Sequence, residues 1–429
     1  MTSPKLSPTT ASPAPVTQPA PAVVQPPRAP VTAPPPARVA ATLRWAGYLV
    51  VAGLALFAAL VVAGKGFLDL QVYRDAGRAY LDGTPLFGEE FRSAAGLRFI
   101  YGPIAAVIFV PFTVMPDVAA RFVWTAISVV LLWWVLRTVS ARLGMAQASL
   151  TGLALLAPAM LLGPVRETLG YGQINIVMMA LVVLDAAGVI PRRFRGVGIG
   201  VAAAIKVTPA AFGLLLLVRK DLPSVVRAAG AFLLVGALGF LAAPGDSVKY
   251  WTTVFFDTNR GGPPLYGPNQ AVTGLLARLG LSGSSRELVW VGAVIFIVAA
   301  AAYAARLFTV AGDHLPALGV VALASLLAAP LAVAHHWVYV VLLLALMLAP
   351  QYAAWRYPLG VVAAVFYLSL YDYVPVGGDN EANWGVLQQL LGNSETLAGL
   401  ALLGAAVVAA RSRSAMVGAP ATEPETAVR

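Results

Sequence analysis

Apolar residues in this chain run in long unbroken blocks rather than alternating with polar ones, and the blocks recur from residue 44 to residue 411. They fall at 44–64, 101–115, 120–137, 147–163, 173–190, 225–243, 287–308, 315–330, 337–350, 357–371 and 396–410. A further stretch, 196–218, is apolar except for Lys206 and Pro209. Most approach the roughly 20 residues a helix needs to cross a bilayer. The pattern predicts an all-α, polytopic integral membrane protein with about 11–13 transmembrane or re-entrant helices. An outer-membrane barrel is excluded, because its strands would alternate apolar and polar positions.

Composition points the same way. Hydrophobic residues make up 59% and charged ones 11%, against roughly 25% charged in soluble domains. The net charge of +10 reads as arginine and lysine in cytoplasmic loops, not as affinity for nucleic acid. Arg137 with Arg142, Arg192-Arg193-Arg195, Arg219-Lys220 with Arg227, Arg306, and Arg411 with Arg413 are all assigned to the cytoplasmic side by that rule. Connections 65–100, 164–172, 244–286, 331–336 and 372–395 then lie outside, and they hold nearly all the unusual residues. Two stretches break simple alternation. Residues 196–218 would start and end in the cytoplasm, as a hairpin bent at Lys206–Pro209. Residues 101–115, short and marked by Pro103 and Pro111, read as re-entrant.

The ends differ from the middle. Residues 1–43 hold 12 of the 32 prolines and no acidic residue, a composition that cannot bury a core and predicts a disordered cytoplasmic tail. Residues 412–429 read as a second loose tail, which leaves 44–411 as the multi-spanning domain. The chain has no cysteine and only His314, His335 and His336 as histidines, which argues against a zinc site.

Four features carry candidate chemistry. In the first outer loop Leu70, Tyr73, Gly77 and Tyr80 form one stripe of a short interfacial helix, with Asp69 at its start. Asp69 reads either as a helix N-cap or as a carboxylate held at the membrane surface. Arg74, Asp75 and Arg78 read as a solvated face. Gln173 and Asn175 open an apolar helix, where side-chain amides are costly unless paired. Lys206 lies in an apolar hairpin, so it must snorkel, pair, or meet a phosphate. His335 and His336 stand together at a helix mouth ahead of Trp337 and Tyr339. With no Walker loop and no GxGxxG turn, a lipid-borne substrate fits this layout better than a sugar nucleotide.

The order Asp69-Leu70-x-Val72-Tyr73-x-x-Ala76-Gly77, Tyr101-Gly102-Pro103, Gly172-Gln173-x-Asn175, Lys206-x-Thr208-Pro209, Asn269-Gln270 and Pro330 before His335-His336 resembles a known group. It is similar to the actinobacterial polyprenyl-phosphate-mannose-dependent mannosyltransferases, glycosyltransferase family 87 of the glycosyltransferase-C superfamily. Gly102-Pro103 stands where that family often has two prolines, and Ala329-Pro330 where serine precedes the proline. The resemblance implies a multi-pass plasma-membrane enzyme with its active site on the extracytoplasmic side. It implies inverting α-1,2 transfer of mannose from polyprenyl-phosphate-mannose to a glycolipid, a phosphatidylinositol mannoside, without a cofactor or metal. Asp69 would be the catalytic base. His335 or His336 would orient substrate or contact the phosphate, and Lys206 or an outer-loop arginine such as Arg260 would offset the charge of the leaving phosphate. Tyr73, Gln173, Asn175 and Asn269 complete the implied substrate-binding set. A lipomannan-branching or arabinose-transferring enzyme on the same fold is an alternative. So is a lipid or sugar transporter, although ionisable residues gathered on one face favour an enzyme.

Overall fold

The computed structural model describes residues 66–257, 261–377 and 380–418, with side chains to Ser414, and the isolated positions Thr42, Trp45, Gly47 and Gly53. Apart from those four positions, the expected first span at 44–64 and the expected tail at 1–43 lie outside the described residues. Within them the chain is helical throughout, without a named strand. The nearest approach to sheet is an isolated antiparallel bridge between Asn269 and Val333.

Among the described residues, four helices are long and apolar enough to cross a membrane: Asp117–Arg142, Leu222–Ala242, Gly283–Val310 and Ser394–Ser414. Large apolar side chains point outward on them, such as Leu233 at 66% and Phe296 at 73% exposure. Water would disfavour that surface, and lipid accepts it. Two further apolar helix pairs reach that length only when taken together across a sharp bend. Ala148–Leu161 and Gly163–Tyr171 meet at 81°, and Ala334–Leu348 and Pro350–Leu368 at 114°. At the second break Ala349 is extended, the conformation imposed on a residue preceding proline. The segments expected at 337–350 and 357–371 are thus arms of one bent pair. Ser394–Gly418 continues as helix beyond the boundary expected at 411.

The stretch at 101–115 does not cross. Helix Pro103–Thr113 has 11 residues, about 17 Å of rise, and it packs lengthwise against the interfacial helix Leu68–Asp82. Arg74 fastens the pair by donating to the Phe112 and Met115 carbonyls and to Asp117. Asp75 accepts from Gln71, from Ser93 Oγ and from the Ala94 amide. The expected solvated face is therefore a set of loop anchors. The buried stripe is also wider than expected, because it takes in Val72, Ala76 and Ala79 and leaves Tyr80 half-buried.

Residues 196–218 do form a hairpin. Helix Val197–Ile205 ends at Lys206, whose backbone is extended, and a 3₁₀ turn at Thr208–Phe212 leads into helix Gly213–Val218. Arg195 and Arg219, at its two ends, line the same cavity, so the chain enters and returns. Lys206 is its tip.

Helix Asn175–Ala186 joins the two ends, with Asn175 on Lys206 and Ala186 on that cavity, where Arg142 and His314 from helices Asp117–Arg142 and His314–Leu327 also arrive. The molecule thus has two polar ends joined by apolar helices. At the tip's end, residues 261–286 gather around Arg278, only 2% exposed. Its guanidinium donates to Asn393 Oδ1 and to the Tyr266 and Asn269 carbonyls, the full set of partners a buried cation requires.

Candidate active site

Phe67, buried and left-handed at φ 48°, turns the chain into helix Leu68–Asp82. The cap position is therefore Phe67, and Asp69 stands inside the first turn rather than capping it. Gly172 packs against this turn in the left-handed region at φ 68°. A Cβ there would come within 2.7 Å of Leu70 Cβ and 2.9 Å of Phe67 Cδ1, so only glycine fits. That close approach sets Gln173 beside the helix start.

Gln173 Oε1 accepts from Tyr73 Oη at 2.8 Å, from Tyr101 Oη at 3.1 Å and from the Ile174 amide at 3.3 Å. With its oxygen saturated, the side-chain amide N–H is what remains to donate to Asp69, and Asp69 and Gln173 share a hydrogen bond. Tyr73 is locked by a stacked contact with Phe109 at 4.5 Å and an edge contact with Tyr101 at 5.2 Å. Burial raises the Asp69 carboxyl from its ordinary 3.8 to about 6, against the opposing pull of the Gln173 hydrogen bond and the Lys206 charge. A carboxylate so tuned is ionised at neutral pH and more basic than a solvated one, as general-base work requires.

Lys206 faces the same space. Its Nζ donates to Asn175 Oδ1 at 3.1 Å, meets His336 Nε2 at 2.9 Å, and lies 5.5 Å from the centroid of the Tyr101 ring. The ammonium does not snorkel; side chains hold it. Asn175 in turn donates Nδ2 to the His335 carbonyl at 2.9 Å. A small cavity beside them is lined by Asn175, Lys206, Thr208, Phe212, His336 and Tyr339.

The histidine pair is positioned by backbone. Gln270 N–H donates to the Ala332 carbonyl at 2.8 Å and Ala334 N–H to Pro268 at 2.9 Å. Asn269 is fully buried, and its side chain is spent on the same join: Oδ1 accepts from the Ala271 and Ala332 amides, and Nδ2 donates to the Pro264 carbonyl. It therefore fastens the loop carrying His335 and His336, where the sequence suggested substrate contact. The two imidazoles meet edge-on, 4.8 Å apart.

The structure thus brings Asp69, Tyr73, Gln173, Asn175, Lys206 and His336 into one polar cluster, with His335 behind it and Asn269 beneath. Arg260 lies outside the described residues. Two residues were missed from sequence. Thr168 Oγ1 donates to the His335 carbonyl at 2.9 Å. Glu167 Oε2 lies 3.9 Å from His335 Nδ1, while its other oxygen accepts from Tyr371. Their only signal was the run Arg166-Glu167-Thr168 inside an otherwise apolar stretch. Among the described residues no group of three or more acidic or histidine side chains is arranged to hold a metal.

The profile of glycosyltransferase family 87 matches residues 99–332, taking in Tyr101, Gln173, Asn175, Lys206 and Asn269. Asp69 and the histidine pair fall outside that range. The chain is 37% identical over 300 residues to a polyprenol-phosphate-mannose-dependent α-(1-2)-phosphatidylinositol mannoside mannosyltransferase of Mycolicibacterium smegmatis, covering 63% of this chain and 67% of the relative. It is 34% identical over 292 residues to the protein of the same description from Mycobacterium tuberculosis, covering 63% and 68%. A pentamannoside mannosyltransferase of M. smegmatis is 30% identical over 309 residues, covering 69% and 73%. No solved structure gives a significant match. With the profile matching more than half of its length, the chain belongs to glycosyltransferase family 87 and is a glycosyltransferase.

Proposed function

We propose that this enzyme transfers mannose from polyprenyl-phosphate-mannose to a phosphatidylinositol mannoside, forming an α-1,2 linkage with inversion, at the extracytoplasmic face of the plasma membrane. The names of its relatives support the donor and the acceptor. The observation that carries the chemistry is one electrostatic unit built from distant segments: Asp69, hydrogen-bonded to Gln173, in the field of Lys206.

In this reading the acceptor hydroxyl gives its proton to Asp69 as its oxygen attacks the anomeric carbon of the donor. The bond from that carbon to the phosphate oxygen breaks, and the electron pair leaves with polyprenyl phosphate. A phosphate is an adequate leaving group, so no acid is needed. What it needs is a fixed positive charge, which Lys206 supplies. Gln173 holds the base, Asn175 and His336 hold the lysine, and Tyr73 and Tyr101 brace Gln173. His335, tied by its carbonyl to Thr168 and Asn175, keeps His336 in place. Sidedness rests on the arginines gathered at the other polar end.

The test is incubation of the purified protein with polyprenyl-phosphate-mannose and phosphatidylinositol mannosides, with mass detection of the product. Addition of one hexose to the acceptor supports the reading. Donor consumption without such a product would redirect it to another acceptor.

A further inference from the structure

At the end of the bundle away from Asp69 lies a second polar site, a cavity of about 440 Å³. That is within the ~300–1,000 Å³ typical of small-molecule sites. Arg142, Arg195 and Arg219 line it, with Asp313, His314 and Tyr352. They come from elements far apart in sequence, so no single basic loop accounts for it.

The guanidinium groups are crowded and incompletely used. A Cβ placed on Gly188 would lie 3.2 Å from an Arg195 terminal nitrogen and 3.6 Å from one of Arg142. The two cations are therefore no further apart than the sum of those distances. Arg219 donates to the Ala186 carbonyl at 2.9 Å and Arg142 to Gly188 at 3.1 Å. Among the described residues, Nε of Arg195 and Nε of Arg219 are buried without a hydrogen-bond partner, an arrangement that costs stability unless a ligand accepts from them.

The neighbouring carboxylates are already committed. Asp313 accepts from Tyr352 Oη at 2.7 Å and pairs with Arg413 Nε at 3.0 Å. Asp221 caps helix Leu222–Ala242 through Ser224 and stands 3.8 Å from Arg195. Asp185 accepts from the Gly196 and Ile199 amides. Each offsets part of the positive charge, yet none supplies the missing acceptors.

Tyr352 and Arg413 also border an apolar groove lined by Phe308, Leu323, Leu343 and Trp355. A cationic cavity that shares Tyr352 as a wall with a hydrocarbon groove offers, side by side, the two chemistries of an anionic lipid. We propose that this end of the protein binds a membrane phospholipid of net negative charge, with no headgroup cation to oppose the arginines, the phosphate held by Arg142, Arg195 and Arg219 and one acyl chain lying in the groove past Tyr352. The site is distinct from the one at Asp69.

The test is native mass spectrometry and thermal unfolding of the full-length protein in neutral detergent. It is titrated with phosphatidylglycerol, with phosphatidylcholine or with inorganic phosphate. Phosphatidylglycerol should bind about tenfold more tightly than phosphatidylcholine, the scale of one charge-assisted contact, and inorganic phosphate alone should stabilise much less. Arg142→Gln with Arg195→Gln should abolish the preference, and Lys206→Met should leave it intact. Equal binding of the two lipids overturns the proposal, and so does equal protection by inorganic phosphate. Loss of the preference in Lys206→Met, but not in the arginine variant, would place the lipid at the other end and overturn it too. If the arginine variant fails to fold, the comparison of the three ligands on the wild-type protein decides.

Discussion

Lys206 Nζ lies 2.9 Å from His336 Nε2, although the two residues are 130 positions apart. The tip of a re-entrant hairpin and the mouth of a bent helix thus share one charge, and Asn175 on a third element completes the contact. Replacing the ammonium tests its role. Lys206→Met keeps the length of the side chain and suits the apolar hairpin, so the protein should reach the membrane. Loss of a charge-assisted phosphate contact should raise the KM for donor by roughly 10- to 100-fold. Unchanged donor kinetics in a folded variant would leave Lys206 a purely structural partner of His336.

Asp69→Asn keeps the size of the side chain and removes its proton affinity. Because Phe67 occupies the cap position, the substitution removes no helix cap. Transfer should fall by about 10²–10⁴-fold, the usual cost of a lost base, with expression and donor binding preserved. Near-normal turnover would exclude Asp69 as the base.

The same carboxyl sets a pH dependence. With its pKa at about 6, kcat/KM should rise with pH below that value and level off above it. The stability effect has the opposite sign. A carboxyl raised from 3.8 to about 6 is favoured by folding while protonated. That contribution is complete below 3.8 and is lost as pH rises through about 6. Unfolding of wild type and Asp69→Asn, followed at pH 4 to 8, should therefore diverge with the wild type losing ground.

Gly172→Ala should destabilise the protein by about 1–3 kcal/mol through backbone strain, beyond which its Cβ would collide with Leu70. Because the residue sets Gln173 beside Asp69, activity and melting temperature should fall together. A variant as stable as wild type would show that the helix start can yield.

The absence of cysteine makes sidedness directly measurable. Ala94→Cys and Ser412→Cys lie at exposed positions on opposite ends. In intact cells an impermeant thiol reagent should label the first and spare the second. The reverse pattern would turn the enzyme over in the membrane.

Much of this arrangement was legible because polar residues inside apolar runs are conspicuous. Asp69, Gln173-x-Asn175, Lys206 and the histidine pair each stand where an apolar segment begins or breaks, and the structure gathers them. The arginines at 195 and 219 likewise revealed the hairpin, since both its ends carried the same charge signal. Glu167 and Thr168 stayed hidden, because their value lies in contacts with His335 more than 160 positions away. Asn269 shows a related ambiguity. A buried amide that contacts substrate and one that satisfies backbone groups look alike in sequence, and only the location of its partners separates them. Asp75 looked solvated for want of any sign that the loop at Ser93 would fold back over it.

The hairpin that carries Lys206 also constrains the order of assembly. Its tip holds a cation with no partner inside the hairpin itself, and a bare charge at that depth is costly in lipid. Helix Asn175–Ala186 must already stand beside it to offer Asn175, yet His336 is synthesised only later in the chain. The hairpin therefore meets one of its two side-chain partners early and the other late. Its last contact comes only with the bent helix that follows, so the charge centre is a product of tertiary packing and not of the hairpin alone.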